Sequence, residues 1–361
     1  MVYRIFFTSL LLAFSLSSVC ILAATQCDVS TYSRVECGDN YCAPRNNNST
    51  NSCYANDPCC YPACCNSDYD VLFSVEYLYW KINSDELPYA WNVDAAEVEL
   101  QAAKVERIEP DAESGVRVGL SAKLPCCNSC YLSAEWTHLC GSSTESATEE
   151  TFLIPIWLST VGNPLADTAD AEYKIKLNIA DISLVRPICS WNKNIFLTSI
   201  GVRGVWLDQD LDVEYRGGNI SAGLDAKNSI EFCGWGLRAG ALTQCEICNG
   251  FSFVGWSYVD LLWSKIDVFQ KGVRDSNDEV RGSIEDSIHT TTPMFELFLG
   301  LSWECKLSCA QVKTRIGWEQ QYFINGVQLN QYCSRNDDDI SIHQHGGLGF
   351  GGLTVGLAVG F

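Results

Sequence analysis

From residue 70 onward, apolar and polar side chains alternate with a period of two. The clearest stretch is residues 116–124: Val116, Val118, Leu120, Ala122 and Leu124 fall on even numbers, with Arg117, Gly119, Ser121 and Lys123 between them. A strand turns successive side chains to opposite faces, so this alternation predicts β-structure with one greasy and one polar face. The pattern recurs at residues 71–81, 130–140, 172–185, 195–208, 230–243, 251–266, 293–306, 311–323 and 348–361. About ten strands follow, several of them long enough for the ~9–11 residues that a tilted strand needs to cross a bilayer. Residues 97–108 also have strand character. They predict either extra strands or a hairpin above the membrane, so the expected count is 10–12.

The links between these stretches alternate in length. Short ones follow Leu124, Val185, Thr243 and Lys306, and long, often acidic ones follow Lys81, Cys140, Asp208, Ile266 and Phe323. Short turns at one end and long loops at the other are the habit of outer-membrane barrels. The expected fold is therefore all-β, a closed antiparallel transmembrane β-barrel over residues 69–361. Both termini are expected on the periplasmic side.

The faces predict what each side meets. Residues 293–306 set Phe295, Leu297, Leu299, Leu301 and Trp303 against Glu296, Gly300, Ser302 and Glu304. Backbone polar groups in hydrocarbon must pair internally, so a sheet there must close, with its greasy face toward lipid. The expected pore-lining residues are Arg117, Lys123, Glu135, Lys174, Lys176, Arg203, Arg238, Glu296, Glu304, Lys313, Arg315 and Glu319, with Glu76 on the same inward faces. Trp80, Trp136, Trp206, Trp263, Trp303 and Trp318, with Tyr77 and Tyr79, are expected at the membrane–water boundary, which suits amphipathic rings. The last stretch puts Leu353, Val355, Leu357, Val359 and the final Phe361 on one face, as barrels present their last strand for assembly.

The front of the chain differs. Arg4 and the apolar run after it, closed by Ala23, Ala24 and Thr25, predict a signal peptide over residues 1–25. Residues 26–68 form a Cys-rich segment with no hydrophobic period. The chain holds 20 cysteines, and in an exported protein these imply disulfides. The candidates are Cys27, Cys37, Cys42, Cys53, Cys59, Cys60, Cys64, Cys65, Cys126, Cys127, Cys130, Cys189, Cys245, Cys248, Cys305 and Cys309. Those of the barrel fall in or beside its short turns, which predicts a disulfide platform at the periplasmic rim. It would tie the Cys-rich segment to the barrel, to a second copy or to other envelope proteins. Cys127-x-x-Cys130 and Cys245-x-x-Cys248 have zinc-like spacing, but an oxidising compartment favours disulfides, so no metal is expected.

The net charge of −20 argues against nucleic acid as a partner, since phosphate backbones need clustered Lys and Arg. No phosphate loop, nucleophile elbow or metalloprotease motif occurs, and no enzyme activity and no cofactor are expected. Outer-membrane lipids are the expected partner.

Three segments look like parts of a known family. They are Phe73-Ser74-Val75-Glu76-Tyr77-Leu78-Tyr79-Trp80-Lys81, Gly201-Val202-Arg203-Gly204-Val205-Trp206-Leu207-Asp208 and Gly317-Trp318-Glu319-Gln320-Gln321-Tyr322-Phe323. With Phe361 at the end, they resemble the Legionella-type pore-forming outer-membrane family, whose members in environmental chlamydiae are called major-outer-membrane-protein-like. The resemblance spans nearly all of residues 70–361 and implies a porin-like barrel. The Cys-rich segment departs from the family's usual pattern.

Two functions fit. One is a porin-like channel for passive diffusion of small hydrophilic solutes. The other is a disulfide-linked structural or adhesive surface protein with little transport, since about ten strands enclose a lumen that side chains nearly fill.

Overall fold

The computed structural model describes residues 70–361, apart from 85–86, 94–102, 126–129, 158–164, 192–193, 249, 275–278, 307–309 and 336–337. The predicted signal peptide and Cys-rich segment lie outside the described residues. Twelve strands follow one another: β1 (Val71–Ser84), β2 (Pro88–Val93), β3 (Ala103–Arg107), β4 (Ala112–Lys123), β5 (Tyr131–Pro155), β6 (Ala166–Trp191), β7 (Asn194–Gly217), β8 (Ile220–Cys248), β9 (Phe251–Arg274), β10 (Glu279–Lys306), β11 (Gln311–Arg335) and β12 (Asp338–Gly360).

Ten of them make the ring. β1 pairs with β4 and β12, each later strand pairs with the next, and the β5–β6 ladder completes the circle. The seam between first and last strands is finished by Asp70 N, which donates to Phe361 O at 2.8 Å, and by Phe361 N, which donates to Val71 O at 2.9 Å. β2 and β3 form a hairpin outside the ring, hung on the far end of β5 through pairs such as Ala90↔Pro155. Within residues 97–108, whose first six lie outside the described residues, the strand character of Ala103–Arg107 belongs to this hairpin.

The barrel has two storeys, and the sides of apolar and polar exchange between them. In the storey near the short turns, the outer wall is greasy: Trp235 is 70% exposed, Leu237 71% and Trp263 61%. Its inner wall carries Arg, Glu, Asp, Ser and Gln. In the storey beyond, the inner wall carries the hydrophobic core, including Tyr173, Ile175, Leu177, Leu207, Leu211, Tyr215 and Phe232. Its outer wall is polar, with Asp208, Asp210, Glu214 and Glu231 exposed. The first storey is built for lipid outside and the second for water outside.

The strands are longer than the sequence pattern predicts. β5 to β10 run 24 to 29 residues each. The acidic stretches after Cys140, Asp208 and Ile266, expected as loops, continue as paired strands. Above the bilayer they need no lipid-facing stripe, so their polar side chains hide the ladder from a pattern search. This second storey is a half-shell of β5 to β10, because the β4–β5 ladder stops at Gly115↔Leu139 and the β10–β11 ladder at Met294↔Phe323. The chain between β1 and β4 folds against the shell. Leu87, Tyr89, Ala90 and Ile108 are buried there. Tyr215 Oη donates to Tyr89 O, and Trp157 Nε1 donates to Pro88 O at 3.0 Å.

Two expectations are corrected. Lys174 and Lys176 stand exposed on the outer wall of β6, while Tyr173, Ile175 and Leu177 between them are buried. They lie in the second storey, where apolar side chains face in. Trp80 is fully buried, not at the boundary. On β1 the odd-numbered Phe73, Val75, Tyr77 and Tyr79 face outward, so Trp80 faces the lumen and donates from Nε1 to Thr354 Oγ1 at 3.1 Å. Trp136, Trp206, Trp263, Trp303 and Trp318 are exposed as expected.

Candidate functional site: the charged waist of the lumen

The inward face of the first storey gathers its charges at one height. Register does this. Glu76 lies opposite Arg117 across β1 and β4, Asp181 opposite Arg203 across β6 and β7, and Arg238 opposite Asp260 across β8 and β9. Directly opposed side chains of opposite charge sit close enough to pair. Glu296 on β10 and Glu319 on β11 complete the layer.

Two clusters result. In the first, Arg117 donates from Nη2 to Glu319 Oε1 at 2.6 Å, from Nη1 to Glu76 Oε2 at 2.9 Å and from Nε to Thr137 Oγ1 at 2.9 Å. Arg315 also binds Glu76, and Thr354 Oγ1 donates to Glu319 Oε2 at 3.1 Å. In the second, Arg203 takes Asp181 in a two-point grip, 2.6 Å for each bond. The same guanidinium reaches Asp260 at 3.1 Å and Glu296 at 2.9 Å. Arg238 binds Asp260 at 3.0 Å and Glu296 at 3.0 Å, and lies 3.5 Å from the centre of the Tyr258 ring. Gln321 Nε2 joins the clusters, donating to Glu319 Oε1 at 3.1 Å and Glu296 Oε2 at 3.4 Å.

These groups are buried. Arg203 is 3% exposed, Asp260 and Glu319 0%. A lumen wide enough for solute would leave its lining open to water, so here side chains fill the cross-section. Isolated buried charges are prohibitively costly, and pairing with full hydrogen bonding is what allows them. Toward the short turns the lining opens: Lys123, Glu135, Glu304, Lys313 and Arg315 are half-buried. Lys313 Nζ donates to Gln244 Oε1 at 2.7 Å. This is a wet vestibule below the waist. On the other side of the waist an aromatic plate crosses the lumen. Phe323 meets Phe350 edge-to-face at 6.0 Å and Phe232 edge-to-face at 6.2 Å, and all three are buried.

The structure thus brings together Arg117, Arg203, Arg238, Glu296 and Glu319, sets Lys123, Glu135, Glu304, Lys313 and Arg315 in the vestibule, and leaves Lys174 and Lys176 outside. Asp181 and Asp260 were missed as lining residues. Their signal was present, a lone carboxylate within an uncharged, mostly apolar run, residues 179–185 for Asp181 and 251–263 for Asp260. Of the disulfide candidates, Cys130 is disulfide-bonded, whereas Cys189, Cys245 and Cys305 are free thiols. The side chain of Cys248 and the cysteines at 27–65, 126, 127 and 309 lie outside what is described. Cys140 and Cys233 are free and exposed on the outer wall.

A family model described as Legionella pneumophila major outer membrane protein precursor matches residues 61–361. The chain belongs to this family. The barrel is therefore an outer-membrane protein, and its two-faced first storey is the part that spans the bilayer. No curated protein matches the chain. Solved structures with a similar course include the outer membrane protease OmpT from Escherichia coli, at 9% identity, TM-score 0.43, covering 81% of this chain and 96% of that one. The translocator domain of the autotransporter NalP from Neisseria meningitidis is 11% identical, with TM-score 0.32 and coverages of 80% and 88%. The Pseudomonas putida toluene transporter TodX is 9% identical, with TM-score 0.31 and coverages of 80% and 89%. Likeness at this level carries no functional information.

Proposed function

We propose that the protein is a narrow outer-membrane channel for ions and small hydrophilic solutes, described here in a closed conformation. The vestibule faces the periplasm and the exposed band of Trp, Leu and Val meets outer-membrane lipid. The observation that carries the reading is the order of layers along the lumen: wet vestibule, charged waist, aromatic plate. A barrel that only had to be solid could fill its waist with apolar side chains, as its own second storey does. Buried ion pairs are often no more stabilising than such packing, so a charged waist supports a role in passage, where charged linings tune selectivity. For passage the plate must move and the ion-paired side chains that fill the waist must part with it.

The filled cross-section favours a second reading, a structural or adhesive surface protein with little transport. Planar-bilayer recording separates the two. Under the channel reading, wild-type protein is mostly silent with brief openings, and Phe323→Ala, which removes the centre of the plate, gives sustained discrete steps. Silence from both proteins would leave the structural reading standing.

A further inference from the structure

We propose that solute reaches the waist from the side, through a seam in the wall between β10 and β11, and not down the axis of the second storey. This rests on the channel reading above and names the route that channel uses.

The seam is a matter of register. The β10–β11 ladder ends at Met294↔Phe323. Beyond that pair β10 continues for fifteen residues, Glu279 to Pro293, bonded to β9 alone among the described residues, while β11 continues bonded to β12 alone. Two local features mark the parting. Pro293, next after the last pair, has no N–H to offer a neighbour. On β11 the register with β12 slips between Phe323 and Val327, and such an irregularity bends a strand away.

The inward face of β10 records the consequence. Asp286, Ile288 and Thr290 are half-buried, then Thr292 and Met294 are fully buried, then Glu296 belongs to the waist. Ile266, paired with Ile288 on β9 at the same height, is fully buried. Water therefore reaches β10 where it does not reach its neighbour. The way down is polar: Ser264 Oγ lies 2.7 Å from Thr292 Oγ1 and donates to Thr290 O at 3.0 Å. It ends at Met294, whose sulfur lies 3.3 Å from Arg203 Nη1 of the waist. Asp286 sets a carboxylate on this inward face at the height of the seam, where negative potential draws cations. Phe323, centre of the aromatic plate, is also the last β11 residue below the seam, so one side chain closes both.

Single cysteines at Ile288 and Ile266 test the route in the full-length barrel, with a charged, membrane-impermeant maleimide and peptide-resolved mass spectrometry to tell them from native thiols. The expected result is ready modification of Ile288→Cys and protection of Ile266→Cys. In the Phe323→Ala background, a bulky label on Ile288→Cys should cut the current by more than half. Equal protection of both cysteines, or an unchanged current after complete labelling, overturns the route while leaving the channel reading intact. Absence of current in Phe323→Ala itself brings down the channel reading, and this route with it.

Discussion

Arg117 and Glu319 are joined by two hydrogen bonds, of 2.6 and 3.1 Å, although 202 residues separate them and two strands, β1 and β12, stand between theirs. The pair spans the point where the ring is sewn shut. Removing one partner leaves the other charged and buried. Glu319→Ala is expected to lower stability by about 3–5 kcal/mol, whereas Arg117→Met combined with Glu319→Leu returns most of that loss. Urea unfolding followed by tryptophan fluorescence measures both, and equal losses in the single and double variants would contradict the account.

Charge at the waist gives a sign for selectivity. Five carboxylates, Glu76, Asp181, Asp260, Glu296 and Glu319, share three guanidinium groups of the waist, Arg117, Arg203 and Arg238, with Arg315 reaching Glu76 from the vestibule. The open channel is expected to prefer cations weakly. Reversal potentials of Phe323→Ala across a salt gradient should show it, and adding Asp286→Asn at the seam should shrink it. A preference for anions would show that the basic vestibule, not the waist, sets selectivity.

Gly300 and Gly317 lie opposite one another on β10 and β11. A Cβ on Gly317 would stand 2.4 Å from Leu299 O and 2.5 Å from the Phe298 ring. Phe298 stacks on Trp256 at 3.8 Å, and Trp256 Nε1 donates to Glu296 at 2.9 Å. Gly317→Val is expected to push Phe298 off Trp256 and cost about 1–3 kcal/mol, the usual penalty of overpacking. Near-ultraviolet circular dichroism of the stacked pair reads the displacement, and an unchanged spectrum would refute it.

The second storey holds tyrosines that resist ionisation. Burial pushes Tyr89 up to about 12, with help from Glu106, Glu145 and Asp170, and burial likewise raises Tyr173 and Tyr215. An unfolded chain releases these protons near pH 10. Above that value the native state binds more protons than the unfolded one, so stability falls as pH rises. Phenolate absorbance from these three residues should stay absent until the storey opens. Replacing Tyr173 and Tyr215 by Phe should leave the absorbance rise of the folded barrel near pH 10 unchanged, and a smaller rise in that variant would contradict their burial.

Much of the ring was legible because lipid imposes one rule on each strand. Trp235, Leu237, Ile316 and Trp318 could only face out once Arg238 and Glu319 faced in. Lys174 shows where legibility stops. Past the bilayer the same alternation carries the opposite meaning, and nothing local in residues 172–179 says which solvent lies outside. Trp80 failed for another reason: an aromatic at a strand end fits boundary or lumen, and only the parity set by Tyr77 and Tyr79 decides. The seam is legible only in part, through Pro293. That β10 keeps one neighbour there depends on a bend in the next strand, β11, between Phe323 and Val327, which no alternation of side chains announces.

The exchange of faces between the storeys has a thermodynamic consequence. The upper core is packed against water, so its cohesion follows the hydrophobic effect, with the heat-capacity signature and denaturant sensitivity of a soluble domain. The ring below is clasped by acyl chains that offer no such driving force. Warming or mild denaturant should therefore melt the crown first, leaving a shortened cylinder still lodged in its bilayer.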